Sequence, residues 1–569
     1  MRFIIFALFC CTFTACTSDA PTTSTHTSAT TDISLFRDIT EAAGIADFRH
    51  TNGGTGEMRM PEIMGAGGAF IDYNDDGWAD LLLVSGDNFS DQPATDIPTA
   101  KRPAVRLYEN TGGSFKNVTD DAFLNDVSAY GYGLAAADYD NDGDQDFLLT
   151  TLENNLLFKN EAGVFQEVGQ QTGIGSANSW STSAVFFDAD KDGHVDLYIA
   201  NYLTWQLDSD IPCGEADKRD YCNPRNYSGA ADHFYRNNGN GTFTDRTNEA
   251  GFGSLAGKGL GVSVLDFNDD TWPDLFVAND GEANFLFQNN GDGTFGEVGY
   301  TSGIALDQNG TPRAGMGVDS GVVDSTGRPT IFVGNFSAEM VGVWHIDAQN
   351  MFTDRAAQSR IGFPSLNTLT FGLILFDADQ DTDLDLLLAN GHVMKYISEK
   401  QLGVTFKQPP QFFLNTGDGT FAAYNATAGP LAHPMVGRGL ATADIDRDGD
   451  LDVLITENNG PAYIWRNDQV SNNYLRLHLQ GSISNRDGLG ARVRATVNDL
   501  VMERWIRSGS SYLSQSELVA TFGLGSHVEV SHLEIVWPSG EIDRFENVKA
   551  NQDVRVIEGS SLLSPVIIN

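Results

Sequence analysis

Aspartate recurs along the chain at positions one, three, five and nine of a short loop. The copies are Asp72, Asn74, Asp76 and Asp80; Asp138, Asp140, Asp142 and Asp146; Asp188, Asp190, Asp192 and Asp196; Asp266, Asn268, Asp270 and Asp274; Asp377, Asp379, Asp381 and Asp385; and Asp444, Asp446, Asp448 and Asp452. In the second copy Asp144, at position seven, can offer its backbone carbonyl. Carboxylates this close repel one another strongly unless a hard cation sits among them. Calcium accepts about six to eight oxygens at ~2.3–2.6 Å in flexible geometry, while magnesium wants a tighter octahedron with more water, so the pattern points to Ca²⁺. Position six, where the chain must turn sharply, is Gly in four copies. Thr271 and Thr382 stand there in the other two, which predicts strain or weaker sites. A seventh copy, "VVDSTGRPT" from 322, lacks the acids at one, five and nine and is expected to be empty. The expected role of about six such ions is structural.

An EF-hand needs a chelating acid at position twelve and a helix on each side. Position twelve here is Leu83, Leu149, Ile199, Val277, Leu388 and Ile455, all apolar and inside strand-like runs. The loops therefore join strand to strand. Each unit of about 50 residues reads in one order: a Gly-led alternating run such as "GRGLATAD", the Asp loop, an apolar strand such as "DLFVA", an aromatic strand ending in Asn such as "QFFLN", a Gly turn, and a last strand such as "FTDRT". Four short strands per repeat indicate a β-propeller blade. The seventh unit lacks its last strand, whereas "SLFRDITEAAGI", Ser34 to Ile45, matches that strand and has no blade of its own. One outer-strand phenylalanine per blade results: Phe36, Phe115, Phe165, Phe243, Phe295, Phe352 and Phe421. The expected fold is all-β: a seven-bladed propeller closed by its N-terminal strand. A β-solenoid, the rival repeat architecture, would not need a borrowed strand. The tail alternates in "YLRLHLQ", "ARVRATV", "HLEIVW" and "DVRVIEG", has no Asp loop, and reads as a small β-sandwich.

The chain has 569 residues and a formal net charge of −42, which argues against nucleic acid or anionic lipid as partners. Hydrophobic residues make up 41%, so this is no disordered acidic chain. Arg2 and the short apolar run Ile4 to Phe13 read as an export signal. "FTAC" then resembles a bacterial lipoprotein cleavage site, with Cys16 as the lipidated residue; plain cleavage nearby is the alternative. A Ser/Thr-rich tether follows to about 33. The expected organisation is 1–15 signal, 16–33 tether, 34–470 propeller, 471–560 C-terminal β domain and 561–569 tail. The expected location is the cell envelope, or secreted. Cys213 and Cys222 are left, and in an exported protein they most simply pair; a metal site is the alternative, with no second Cys pair and no His at metal spacing to support it.

The repeats resemble the FG-GAP/VCBS repeats of integrin α-chain propellers. "MPEIMGAGGAFIDYNDDGWADLLLV" and "NGHV" at Asn390 look like the cartilage acidic protein family, in a bacterial lipoprotein form. "NNYLRLHLQGSISNRDGLGARV", "YLSQSELVATFGLG" and "LEIVWPSG" look like an ASPIC/UnbV domain. The resemblance implies an integrin-α-like propeller followed by that domain, which either caps the last blade or binds a ligand.

The longest insertions follow second strands: Ser85 to Arg102, Tyr202 to Asp232 with the two cysteines, and Gly391 to Gln411. They are expected on the face opposite the Asp loops. Asp280, Arg313 and Arg438 are candidates there for a polar ligand such as a glycan. His392 with Glu62 or Glu457 is the candidate acid–base pair. The sequence holds no G-x-S-x-G, H-E-x-x-H, P-loop or dinucleotide fingerprint. Two readings follow: a calcium-binding surface lipoprotein that binds glycans or extracellular proteins in adhesion, or an extracytoplasmic hydrolase, lyase or cyclase that uses the insertion face.

Overall fold

The computed structural model describes residues 35–89, 103–175, 179–215, 218–468 and 472–566. The expected signal, Cys16 and tether lie outside them, as do residues 90–102 of the first insertion. All the described residues fall in one compact unit, Ser34–Asn569.

Seven antiparallel four-stranded sheets follow the repeat. Blade 1 contains Gly68–Ile71, Asp80–Val84, Val105–Asn110 and Phe115–Asn117. Blades 2 to 6 begin with Gly131–Ala137, Ser181–Phe187, Gly259–Leu265, Gly315–Gly321 and Thr370–Phe376. Blade 7 joins Gly437–Ala443, Asp452–Glu457 and Ala462–Asn467 to the N-terminal strand Phe36–Asp38, with Phe36 opposite Asn467. First strands neighbour one another round the ring, blade 1 meeting both blade 2 and blade 7. The second strands are buried on both faces, which is why runs such as "DLLLV" are apolar without alternation.

Two further sheets share one core. One orders Val519–Gly525, Asn473–Gln480, Gln552–Ile557 and Leu563–Pro565; the other orders Leu500–Trp505, Arg492–Val497, Glu529–Val536 and Ile542–Lys549. Leu477, Val493, Phe522, Ile535 and Val556 fill the space between them. The same cluster runs on into Leu148, Phe186 and Leu197 of blades 2 and 3.

This C-terminal domain does more than cap a blade, because its segment 507–517 enters the propeller axis. Ser511 O accepts from Val318 N at 2.9 Å, Leu513 O from Leu134 N at 3.1 Å and Gln515 O from Phe70 N at 3.0 Å. Ser511 Oγ accepts from Leu373 N at 3.1 Å, Leu513 N donates to Ser183 Oγ at 3.3 Å, and Glu517 N donates to Thr442 O at 3.1 Å. Arg507 Nη1 donates to Ser263 Oγ at 3.4 Å, so the first strand of every blade is touched. A Cβ on Gly67 would lie 1.6 Å from Leu513 O, and one on Gly439 would lie 2.4 Å from Ser514 Oγ. The Gly-led first strands thus leave room for this plug. Around Tyr512 and Leu513 the axis is packed with Met60, Tyr132, Trp180, Tyr202, Met316 and Phe371.

Candidate metal centres and the opposite cleft

Each Asp loop is shaped by its own carboxylates. The first Asp accepts from the backbone N–H groups of positions five and six: Asp138 from Asp142 at 3.0 Å and Gly143 at 2.8 Å, Asp444 from Asp448 at 3.2 Å and Gly449 at 3.0 Å. Position six is left-handed in every copy, including Thr271 (φ 74°) and Thr382 (φ 96°), so the expected strain at these two residues is present in the backbone.

The ninth Asp is buried in all six loops. Its two oxygens accept backbone N–H groups from position two and from the Asn at or next to the end of the third strand. For Asp146 these are Tyr139 at 3.1 Å and Asn160 at 2.7 Å. That Asn then donates to the carbonyl of the preceding blade's loop: Asn160 to Tyr73, Asn237 to Tyr139 and Asn289 to Ala189, each at 2.8 Å, and Asn467 to Ala378 at 2.6 Å. Blade 5 carries Thr330 and Ile346 at the two positions, so Asp and Asn are lost together. This Asp–Asn staple was not recognised in the sequence, although the Asn recurs there visibly.

Five loops gather three carboxylates whose ligand atoms lie within 4.8 Å of one another: Asp72, Asp76 and Asp80; Asp138, Asp140 and Asp146; Asp188, Asp190 and Asp192; Asp377, Asp379 and Asp385; and Asp444, Asp446 and Asp452. The loop at 266, with Asn268 at position three, forms no such triple among the described residues. Position-three oxygens Asp140 Oδ1, Asp190 Oδ1, Asp379 Oδ1 and Asp446 Oδ1 are buried without a hydrogen-bond partner. A buried carboxylate oxygen left unpaired is costly, and a hard cation satisfies it. The donor set therefore fits a metal. Burial pushes the carboxyls of Asp138, Asp188, Asp377 and Asp444 up to about 7 and that of Asp72 up to about 6.

The C-terminal domain sends arginines to these loops. Arg476 Nη1 meets Asp444 Oδ2 at 2.8 Å, Arg492 Nη1 meets Asp266 Oδ2 at 3.4 Å, and Arg504 Nη2 lies 4.0 Å from Asp377 Oδ2. Arg507 pairs with Asp319 at 2.9 Å.

The candidate residues at the other ends of the strands are only partly brought together. Glu62 and Glu457 line one cavity of about 650 Å³ with Tyr221, Lys407, Asn458 and Tyr463. His392 does not pair with either. It is fully buried, its Nδ1 accepts from Met394 N at 2.9 Å, and its Nε2 lies 3.2 Å from Ser337 Oγ. Burial and Arg438 push its imidazole down to about 4, so it stays neutral. Arg438 is buried as well. Its guanidinium donates to Ile63 O, Gly391 O and Gly437 O and stacks 3.9 Å from the Phe371 ring centroid, which makes it part of the core. Asp280 accepts from Tyr202 OH at 2.6 Å, and Arg313 pairs with Asp354 at 2.8 Å. His392, Arg438, Asp280 and Arg313 are thus held by internal bonds. Cys213 and Cys222 are disulfide-bonded. Their insertion crosses to the 391–411 insertion through Lys218–Glu399, at 2.6 Å, and Lys400–Asp220.

Family comparison matches this layout. An FG-GAP-like repeat model matches residues 72–149, 139–199, 221–277 and 402–455, and an ASPIC and UnbV model matches residues 481–562. The chain carries FG-GAP-like repeats and, at residues 481–562, an ASPIC and UnbV domain. It is similar to cartilage acidic protein 1 of Xenopus tropicalis (26% identity over 74% of this chain and 63% of that protein) and of Homo sapiens (26%, 74% and 61%). The chain therefore spans less than two thirds of these relatives' length. Among solved structures, an Agrocybe aegerita lectin described as recognising non-reducing terminal N-acetylglucosamine aligns with TM-score 0.37 at 15% identity, over 69% of this chain and 86% of the lectin.

Proposed function

We propose that the protein is a calcium-stabilised, exported binding module that holds a glycan or an extracellular protein on its insertion face. The observation that carries the calcium part is the set of position-three aspartates in the loops at 138, 188, 377 and 444: each has a buried, unpaired oxygen, and each offers a ligand atom within 4.8 Å of those of two further carboxylates. Asp72, Asp76 and Asp80 would hold an ion in blade 1, and the loop at 266 a weaker one. Export is supported by the disulfide, which persists in oxidising compartments. Binding is supported by the cleft between the insertions, of a size that suits small ligands. Adhesion at a lipid-anchored cell surface follows if Cys16 is lipidated.

The test is to immobilise residues 34–569 with calcium and pass cell-surface glycans and extracellular proteins over them, reading retained compounds by mass spectrometry. Retention of an unchanged compound is the expected result. New products that vanish on Glu62→Gln would show a catalytic cleft and contradict a binding-only role.

A further inference from the structure

The cleft lined by Glu62 and Glu457 is unusual for so acidic a chain. Its walls are the lead-in to blade 1, the disulfide insertion through Tyr221, the 391–411 insertion, and the turn after Glu457. Its two carboxylates are already occupied. Glu62 accepts from Arg59 N at 3.0 Å and Tyr221 OH at 3.1 Å. Glu457 accepts from Lys407 Nζ at 2.8 Å, Val436 N at 3.2 Å and Tyr463 OH at 3.0 Å. What remains to meet a ligand is the complement of these bonds.

On the donor side stand three cations. Lys395 is exposed and has no ion-pair partner among the described residues. Arg49 gives one bond, to Asn459 O at 3.1 Å, and Lys407 gives one, to Glu457, so both keep free donors. On the acceptor side, the Tyr221 and Tyr463 hydroxyls donate to glutamates and keep their lone pairs. Asn458 commits its Nδ2 to Glu62 O at 3.0 Å, while its Oδ1 is buried with no partner. An unpaired buried carbonyl in a cleft wall asks for a donor from outside the chain.

Resting on the binding-module reading, we infer that this cleft takes an acidic saccharide, a sugar with a carboxylate for Lys395, Arg49 and Lys407 and hydroxyls to donate to Asn458 Oδ1 and the two tyrosines. A neutral sugar would leave Lys395 and Arg49 unmatched. An acidic peptide would supply carboxylates without an array of hydroxyls for three acceptors. Carboxylate recognition by Lys and Arg is charge-assisted and therefore stronger than its neutral counterpart.

The experiment is titration calorimetry of residues 34–569 with linear trigalacturonate, with the neutral galactose trimer of the same linkage, and with hexaglutamate. Millimolar calcium is held constant because uronates bind calcium themselves. The inference expects trigalacturonate to bind at least about tenfold more tightly than either control, with affinity falling as salt rises. The double variant Arg49→Glu/Lys395→Glu alters exposed side chains; it should abolish that preference without lowering the melting temperature. Asn458→Asp should weaken trigalacturonate binding as well. Equal binding of the neutral trimer, tighter binding of hexaglutamate, an unaffected double variant, or no binding of trigalacturonate would each overturn the inference. A neutral glycan or protein retained in the column experiment together with any of these results would leave the binding-module reading standing, whereas an empty column would remove that reading as well.

Discussion

Calcium removal is the most informative perturbation. Five loops bring three carboxylates together, and in four of them a buried oxygen at position three lacks any partner. At free calcium about 100 times Kd, each site bound only in the folded state adds about 2.7 kcal/mol, so five add about 13 kcal/mol. Unfolding entropy near 2.1 cal/mol/K per residue over roughly 530 residues amounts to about 1.1 kcal/mol/K, so losing the ions lowers Tm by about 12 °C. The whole folded stability of an ordinary domain is only ~5–15 kcal/mol, so chelation should also raise the hydrogen-exchange rates of the loop amides. The assay is differential scanning calorimetry in millimolar calcium and in excess EGTA, with magnesium as a control. A Tm that stays within about 2 °C on chelation would refute the reasoning, because carboxylates that gain nothing from an ion need no ion.

Four further outcomes follow from the same geometry. In the chelated protein the first-position aspartates Asp72, Asp138, Asp188, Asp377 and Asp444 have folded pKa values of about 6 to 7, above their unfolded value, so the folded state binds extra protons between these limits. Its Tm should therefore rise as pH falls from 8 to 5, while that of the calcium-loaded protein should fall as protons displace the ion; parallel scans with and without EGTA read both slopes. Thr271→Gly and Thr382→Gly should each stabilise by about 1 kcal/mol, because both threonines sit at positive φ; lower melting temperatures in the variants would contradict this. Asn289→Ala removes two donors, to Ala189 O and Pro273 O, and leaves buried carbonyls unpaired, at a cost of about 3 kcal/mol by denaturant titration in calcium. A chain ending at 468 should be insoluble or molten, because the first strands of all seven blades lose partners in the 507–517 plug; a soluble, cooperatively melting propeller would show the plug to be dispensable.

Much of the scaffold was legible because it is periodic. The Asp loops, the aromatic strand and the spare N-terminal strand each recur with fixed spacing, and a repeat exposes its own missing part, as Phe36 opposite Asn467 shows. Single events were not legible. "RSGSSYLSQSE" carries no period and no long apolar run, yet it holds the axis, because its partners are backbone groups of five distant strands and serine hydroxyls of two more. Arg476, Arg492 and Arg504 read as ordinary basic residues of alternating strands; their approach to Asp444, Asp266 and Asp377 depends on domain docking. His392 was the candidate acid–base histidine of the insertion face, but it is fully buried and its ring meets Met394 N and Ser337 Oγ rather than Glu62 or Glu457. Glu62 and Glu457 do share a cleft. Their partners, Tyr221 and Lys407, come from insertions whose path no local pattern encodes.

Anomalous scattering from crystals grown in calcium shows whether the Asp loops hold the ion. Ion peaks are expected in the loops beginning at Asp72, Asp138, Asp188, Asp377 and Asp444, touching Asp140, Asp190, Asp379 and Asp446 in the last four, with a weaker peak or none at Asp266 and none at Val322. Loops without peaks, or with peaks only at surface carboxylates away from Asp140, Asp190, Asp379 and Asp446, would contradict it.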